Sequence, residues 1–154
     1  MLRFASDILG SVISPQERVL RASILIIDDD AALREVLRVG LEAAGHTVRD
    51  MKNGREGIRA FRKAPCDLVI TDIYMPERDG LELIEALRRT HPHVKIMAMS
   101  GASGTMDYLN KARLLGAVMV MQKPFVISAL LNAVAELIRE AIPPVSDIGR
   151  NGPP

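Results

Sequence analysis

The sequence predicts a doubly wound α/β domain built on a parallel five-stranded sheet. Three observations lead there. Short apolar runs of strand length alternate with longer segments in which apolar residues recur at helical spacing. The runs are apolar at consecutive positions, as strands covered by helices on both faces must be. The boundaries between segments carry turn, cap and charged residues. Right-handed crossovers between parallel strands then lay the helices on both sides of the sheet.

The elements follow in order. Residues 24–27, ILII, form the first strand. Leu33, Val36, Leu37, Leu41 and Ala44 mark the first helix, with Asp30 as its N-cap and Gly45 as its C′ stop. Residues 46–49, HTVR, are a weaker second strand. Asn53 caps a second helix that holds Ile58 and Phe61, and Pro65 closes it. Residues 68–71 form the third strand. Asp79 with Glu82 resembles a capping box opening a third helix, which carries Leu83, Ile84 and Leu87. Residues 96–99 form the fourth strand, and the fourth helix runs from about 105 to 115, stopped by Gly116. Residues 118–121 form the fifth strand. The last helix spans about 127–141, with Leu130, Leu131, Val134, Leu137 and Ile138 on one broad face.

This divides the chain into an N-terminal extension, residues 1–22, with a weak helical pattern at 16–21; a domain, residues 23–141; and a Pro- and Gly-rich tail, residues 142–154, expected to lack regular structure. A chain of 154 residues, nearly half apolar, suits one core. The net charge of +1, with acids and bases mixed, points away from nucleic acid and from a membrane surface. No stretch approaches the roughly 18 apolar residues of a membrane span, and the first residues, MLRFASDILGSVIS, lack a signal-peptide pattern. The single cysteine, Cys66, fits a reducing cytosol. The expectation is a soluble cytoplasmic protein.

Ligands of open α/β sheets sit beyond the carboxyl ends of the strands. After the first strand come Asp28 and Asp29, after the third Asp72, after the fourth Ser100 and after the fifth Lys123. Three carboxylates so placed repel one another, and a hard divalent cation is the usual remedy. Asp28 and Asp29 suit a Mg²⁺ site, with Asp29 the better direct ligand. Asp72 could touch the metal and still attack a phosphoryl group to give an aspartyl phosphate. Lys123, Ser100 and the metal would then hold the three phosphoryl oxygens. Taken alone, the Asp28 and Asp29 pair reads as a solvated turn, Lys123 as a surface lysine and Ser100 as a turn residue beside Gly101 and Gly104. Their conjunction at strand ends outweighs those readings. His46, His91 and His93 have no metal spacing, and Cys66 reads as a small buried hydrophobe.

At these residues the sequence resembles the receiver domain of two-component response regulators. ILIIDDDAALREVL, CDLVITDIYMPERDGLELI, IMAMSGAS and QKPF occur in the family's order and spacing, covering roughly residues 23–140. The resemblance implies a flavodoxin-like, CheY-like (βα)5 fold with strand order 2-1-3-4-5. It implies phosphorylation at Asp72, with Mg²⁺ or Mn²⁺ held by Asp28, Asp29, Asp72 and the backbone carbonyl of Tyr74. It implies Ser100 and Lys123 as phosphoryl-stabilising and switch residues, and Tyr74, Gly101 and Ala102 as the positions governing access. It further implies a cis Lys123–Pro124 bond and a turn at Asp79 and Gly80 that opens the third helix. The implied donor is a sensor histidine kinase or a histidine phosphotransfer protein. The implied output face is helix 4, strand 5 and helix 5, where Met106, Met119 and Met121 could form an adaptable surface. The charge-poor last helix favours a hetero-partner, and a homodimer of another mode stays compatible.

Two positions depart from the family. Val120 and Met121 stand where an inward-swinging aromatic is usual on the fifth strand. Tyr74 is bulky where side-chain size screens the phosphoryl group, which predicts a long-lived phosphate; Gly101 leaves room for transfer. No helix-turn-helix module is recognisable, so the expectation is a single-domain regulator, which is reset after each phosphorylation and does not turn over a substrate. An enzyme with an aspartyl-phosphate intermediate would want an acid/base Asp at position 74. The remaining alternative is a receiver-like scaffold that works without phosphorylation.

Overall fold

The computed structural model describes residues 20–75, 79–101 and 105–140. Ala102, Gly104, most of the N-terminal extension and the C-terminal tail lie outside the described residues. Strands and helices alternate: β1 (Ser23–Ile27), α1 (Ala31–Ala43), β2 (Thr47–Met51), α2 (Gly54–Lys63), β3 (Leu68–Asp72), α3 (Gly80–Thr90), β4 (Lys95–Ser100), α4 (Thr105–Leu115), β5 (Met119–Gln122) and α5 (Ile127–Glu140). The sheet has the order β2-β1-β3-β4-β5, and every pairing is parallel. This is the flavodoxin-like and CheY-like α/β topology.

The period of two along each strand sorts the core into two layers. Leu25, Ile27, Val69, Ile96 and Ala98 face α2, α3 and α4, where Ile58, Phe61, Leu83, Ile84, Leu87, Leu109 and Ala112 meet them. Ile24, Ile26, Leu68, Ile70, Met97 and Met99 face α1 and α5, against Leu37, Leu41, Leu130, Val134 and Leu137. Burying each large aliphatic side chain contributes about 1.5–3 kcal/mol. All five residues of β3 are buried, so the middle of the sheet is largely shut off from water.

Local signals set the helix ends. Asp30 caps α1 through bonds from the Ala32 and Leu33 N–H groups, and Gly45 beyond its end adopts φ 98°. Asn53 accepts from Glu56 N–H at 2.8 Å to start α2. The guanidinium of Arg49 closes the far end of that helix on the Ala60 and Ala64 carbonyls. Asp79 caps α3 at Leu81 N–H, 2.8 Å away.

Three sequence expectations shift. The second strand begins at Thr47, because the His46 ring turns back to accept the Ala22 N–H at 3.3 Å. The fifth begins at Met119; Val118 still donates to the Ile96 carbonyl, but its side chain is exposed. Met119 and Met121 pack on the α1 and α5 layer, whereas α4, which carries exposed Met106, covers the opposite layer. The three methionines therefore lie on both sides of the sheet.

Gly80 bears directly on Asp72. A Cβ at residue 80 would collide with the Asp72 carbonyl oxygen and lie 2.7 Å from Ile73 Cα. The Gly80 N–H donates to the Ile73 carbonyl at 2.8 Å, so the start of α3 presses against the end of β3. Gly80→Ala is expected to cost about 2 kcal/mol, the typical price of overpacking a fitted site. The urea unfolding midpoint measures it; an unchanged midpoint means that the turn relaxes freely.

Candidate functional site

Asp28, Asp72, Ser100 and Lys123 are placed by backbone pairing at or just past the strand ends. Asp28 N–H donates to the Met51 carbonyl at 3.1 Å, carrying β1 onto β2. Ile73 N–H donates to Met99 at 2.9 Å, fixing the chain just past Asp72. Lys123 N–H donates to the Ser100 carbonyl at 2.8 Å, so β5 delivers Lys123 beside the end of β4. The sheet thus converts four separate sequence segments into one cluster. The Lys123–Pro124 peptide bond is cis.

At the centre, carboxylate oxygens of Asp28, Asp29 and Asp72 lie within 4.8 Å of one another. Asp28 is fully buried and both of its oxygens are engaged. Oδ1 accepts the Asp30 N–H at 2.9 Å, and Oδ2 accepts from Lys123 Nζ at 2.7 Å. Lys123 Nζ also stands 3.4 Å from Asp72 Oδ2. Asp29 is exposed. Asp72 Oδ1 accepts the Tyr74 N–H at 3.3 Å, and the Asp72 carbonyl accepts from the Thr71 hydroxyl at 2.9 Å.

Burial pushes the Asp72 carboxyl above its ordinary value. The Lys123 ammonium and the Tyr74 N–H pull against that shift, and the Asp28 charge reinforces it. Burial works against the Lys123 charge, but the hydrogen bond and charge of Asp28, with the charge of Asp72, hold its pKa above the ordinary value. Three carboxylates against one ammonium leave two formal negative charges in a small volume. One divalent cation cancels that excess, and the all-oxygen donor set is the one Mg²⁺ and Mn²⁺ prefer. The residues present therefore fit such an ion.

Ser100 is fully buried, and its Oγ has no hydrogen-bond partner among the described residues. An orphaned buried hydroxyl costs about 1–3 kcal/mol. An acceptor oxygen arriving in the pocket would satisfy it. Gly101 abuts the stem of Lys123: a Cβ there would sit 3.1 Å from Lys123 Cβ.

Beside the carboxylates a cleft of about 430 Å³ is lined by Asp29, Ile73, Tyr74, Met75, Asp79 and Tyr108. Three contributors escaped the sequence reading. Arg34 donates to the Asp28 carbonyl at 2.7 Å and pairs with Asp50 at 2.9 Å, tying the acidic loop to β2. Asp79, read only as a cap, also lines the cleft. Tyr108 comes in from α4; its sole sequence signal is that the chain has two tyrosines. Cys66 lies at the other end of β3, half-buried, its thiol pushed up to about 11 chiefly by burial, and takes no part.

Comparison with known proteins gives the family and the fold. The family model described as the response regulator receiver domain matches residues 24–135. A DNA-binding transcriptional regulator NtrC from Azospirillum brasilense is 36% identical over 125 residues, covering 81% of this chain and 26% of that protein. The chain spans about a quarter of the length of the first such relatives. Among solved structures, a response regulator receiver domain protein from Clostridium thermocellum aligns with a TM-score of 0.73 and 29% identity, over 78% of this chain and 96% of the other. The chemotaxis response regulator CheY4 of Vibrio cholerae aligns with a TM-score of 0.70 and 26% identity, over 76% and 98%. No described helix is long and apolar enough to cross a membrane.

Removing the Lys123 charge would strand Asp28, which is buried. Lys123→Met is expected to destabilise the fold by roughly 3 kcal/mol, as broken buried pairs do, read from urea unfolding without added metal. A loss below the error of the fit would mean that the Lys123–Asp28 pair adds nothing to folding.

Proposed function

The chain belongs to the response regulator receiver domain family, a family of signalling domains, and from that premise we propose that it accepts a phosphoryl group on Asp72 from a phosphohistidine donor. The donor is a sensor histidine kinase or a histidine phosphotransfer protein in the cytoplasm. Phosphorylation and magnesium are general features of this family. The single observation that carries the proposal is the meeting of Asp72 with Asp28, Asp29 and Lys123 at one edge of the sheet.

A carboxylate oxygen of Asp72 attacks phosphorus. A P–O bond forms, the P–N bond of the donor breaks, and the imidazole leaves with its electron pair. A Mg²⁺ or Mn²⁺ ion held by Asp28, Asp29, Asp72 and the Tyr74 carbonyl would neutralise charge on the phosphoryl oxygens. Asp29 is favoured for direct contact, because both oxygens of Asp28 are already occupied. Lys123, now bridging Asp28 and Asp72, turns to a phosphoryl oxygen. Ser100 donates its unpartnered hydroxyl to another. That bond draws the chain after β4 inward and alters the surface of α4, β5 and α5. The exposed side chains of Met106, Leu114, Val118 and Val126 there offer a protein partner apolar contacts. Onward transfer of the phosphate is the alternative output. Tyr74 shields the aspartyl phosphate, and the small Gly101 leaves room for the donor.

Intact mass after incubation with phosphoramidate and Mg²⁺ tests the proposal. The wild-type protein should gain one phosphoryl group, Asp72→Ala none, and chelation should abolish the gain. No uptake by wild type from either phosphoramidate or a phosphorylated phosphotransfer protein would favour the scaffold reading. Tyr74→Asn is expected to remove up to about 1.4 kcal/mol of the hydrolytic barrier, a roughly tenfold shorter lifetime. An unchanged lifetime would remove Tyr74 from the shielding role.

A further inference from the structure

Tyr74 is 62% exposed, yet its ring has a partner. It meets Tyr108 of α4 edge to face, with centroids 5.8 Å apart and planes at 90°. This is a favoured aromatic geometry. Tyr108 is itself half-buried, and the Lys111 ammonium lies 5.4 Å from its ring centroid. Both rings line the cleft that Asp29 shares. The backbone of Tyr74 is tied to the Asp72 carboxylate through its N–H.

An exposed tyrosine on a loop has several rotamers open to it. A single edge-to-face partner on a helix selects among them. We infer that Tyr108 is a positioning residue: it holds the Tyr74 ring at the mouth of the carboxylate cleft, so the access of water to Asp72 depends on where α4 lies. The inference rests on the phospho-acceptor reading and deepens it. It gives α4 a direct aromatic link to the pocket, in a chain whose β5 presents Val120 and Met121 in the expected aromatic positions. In hydrolysis a water oxygen attacks phosphorus, the P–O bond to Asp72 breaks, and inorganic phosphate leaves with the carboxylate restored. Tyr108 touches none of these atoms. It acts only through Tyr74, and anything that displaces α4 changes the shield.

The experiment compares wild type, Tyr74→Ala, Tyr108→Ala, Tyr108→Phe and the Tyr74→Ala/Tyr108→Ala double variant of the full chain. Two readouts are taken: the lifetime of the aspartyl phosphate, and the NMR shifts of the Tyr74 ring protons without phosphate. Tyr108→Ala should shorten the lifetime by between about twofold and tenfold, the range an aromatic pair can impose. Tyr108→Phe should restore it. The double variant should be no faster than Tyr74→Ala alone, since the two residues act in series. The ring-current displacement of the Tyr74 protons should vanish in Tyr108→Ala and persist in Tyr108→Phe. Additive lifetimes, or Tyr74 shifts indifferent to Tyr108→Ala, would overturn the inference while leaving phosphorylation intact. Failure of wild type to take up phosphate would instead overturn the functional proposal, and the ring shifts alone would then decide whether Tyr108 holds Tyr74.

Discussion

The Lys123 ammonium, 2.7 Å from a fully buried Asp28 carboxylate and 3.4 Å from Asp72, is the contact on which the site depends. A carboxylate without water or a counter-ion would surrender its charge to a proton. Lys123 gives the buried Asp28 a counter-ion inside the fold and leaves Asp72 close to a cation without fully claiming it. The asymmetry of the two distances matters. Asp28 accepts a short hydrogen bond from the ammonium, whereas Asp72 stands at ion-pair distance from it. A pair that is both buried and unequal can release one member without dismantling the other.

Backbone geometry sets that asymmetry. β1, β3 and β5 deliver the three charged residues at one edge, and each arrives with a ladder bond beyond the strand proper. Arg34 anchors the Asp28 carbonyl to β2, and Gly80 lets α3 press on the backbone of Asp72. Rigidity is thus concentrated in main chain and helix starts. The groups not fixed in this way are side chains: the exposed Asp29, and the Ser100 hydroxyl, which has no partner among the described residues.

Much of this was legible in the sequence, because its signals are local. Apolar runs ending in Asp, Ser or Lys mark strands that leave the core at one edge. Asp30, Asn53, Asp79, Gly45 and Gly116 announce helix ends through capping and left-handed backbone, and each does so in the structure. What escaped depends on packing between distant segments. Nothing in the spacing of Arg34 says that its fork will reach Asp28 and Asp50 together. Tyr108 meets Tyr74 only because α4 covers the layer beside the β3 end. The methionines of β5 could be assigned to a strand, but which layer they fill depends on register: Met97 pairs with Met119 and Met99 with Met121, and both pairs turn to α1 and α5.

The two-layered core has a consequence for how such a chain can diverge. Along β1 and β3, neighbouring residues serve opposite layers, and the acids follow without a spacer. Inserting or deleting one residue within either strand would exchange the layers and swing the terminal carboxylate to the other side of the sheet. Substitution at an exposed helix position leaves that alternation untouched. Substitutions can therefore accumulate on exposed helix positions, while strand lengths are held by the alternation. The surface and the pocket can change at different speeds within one small domain.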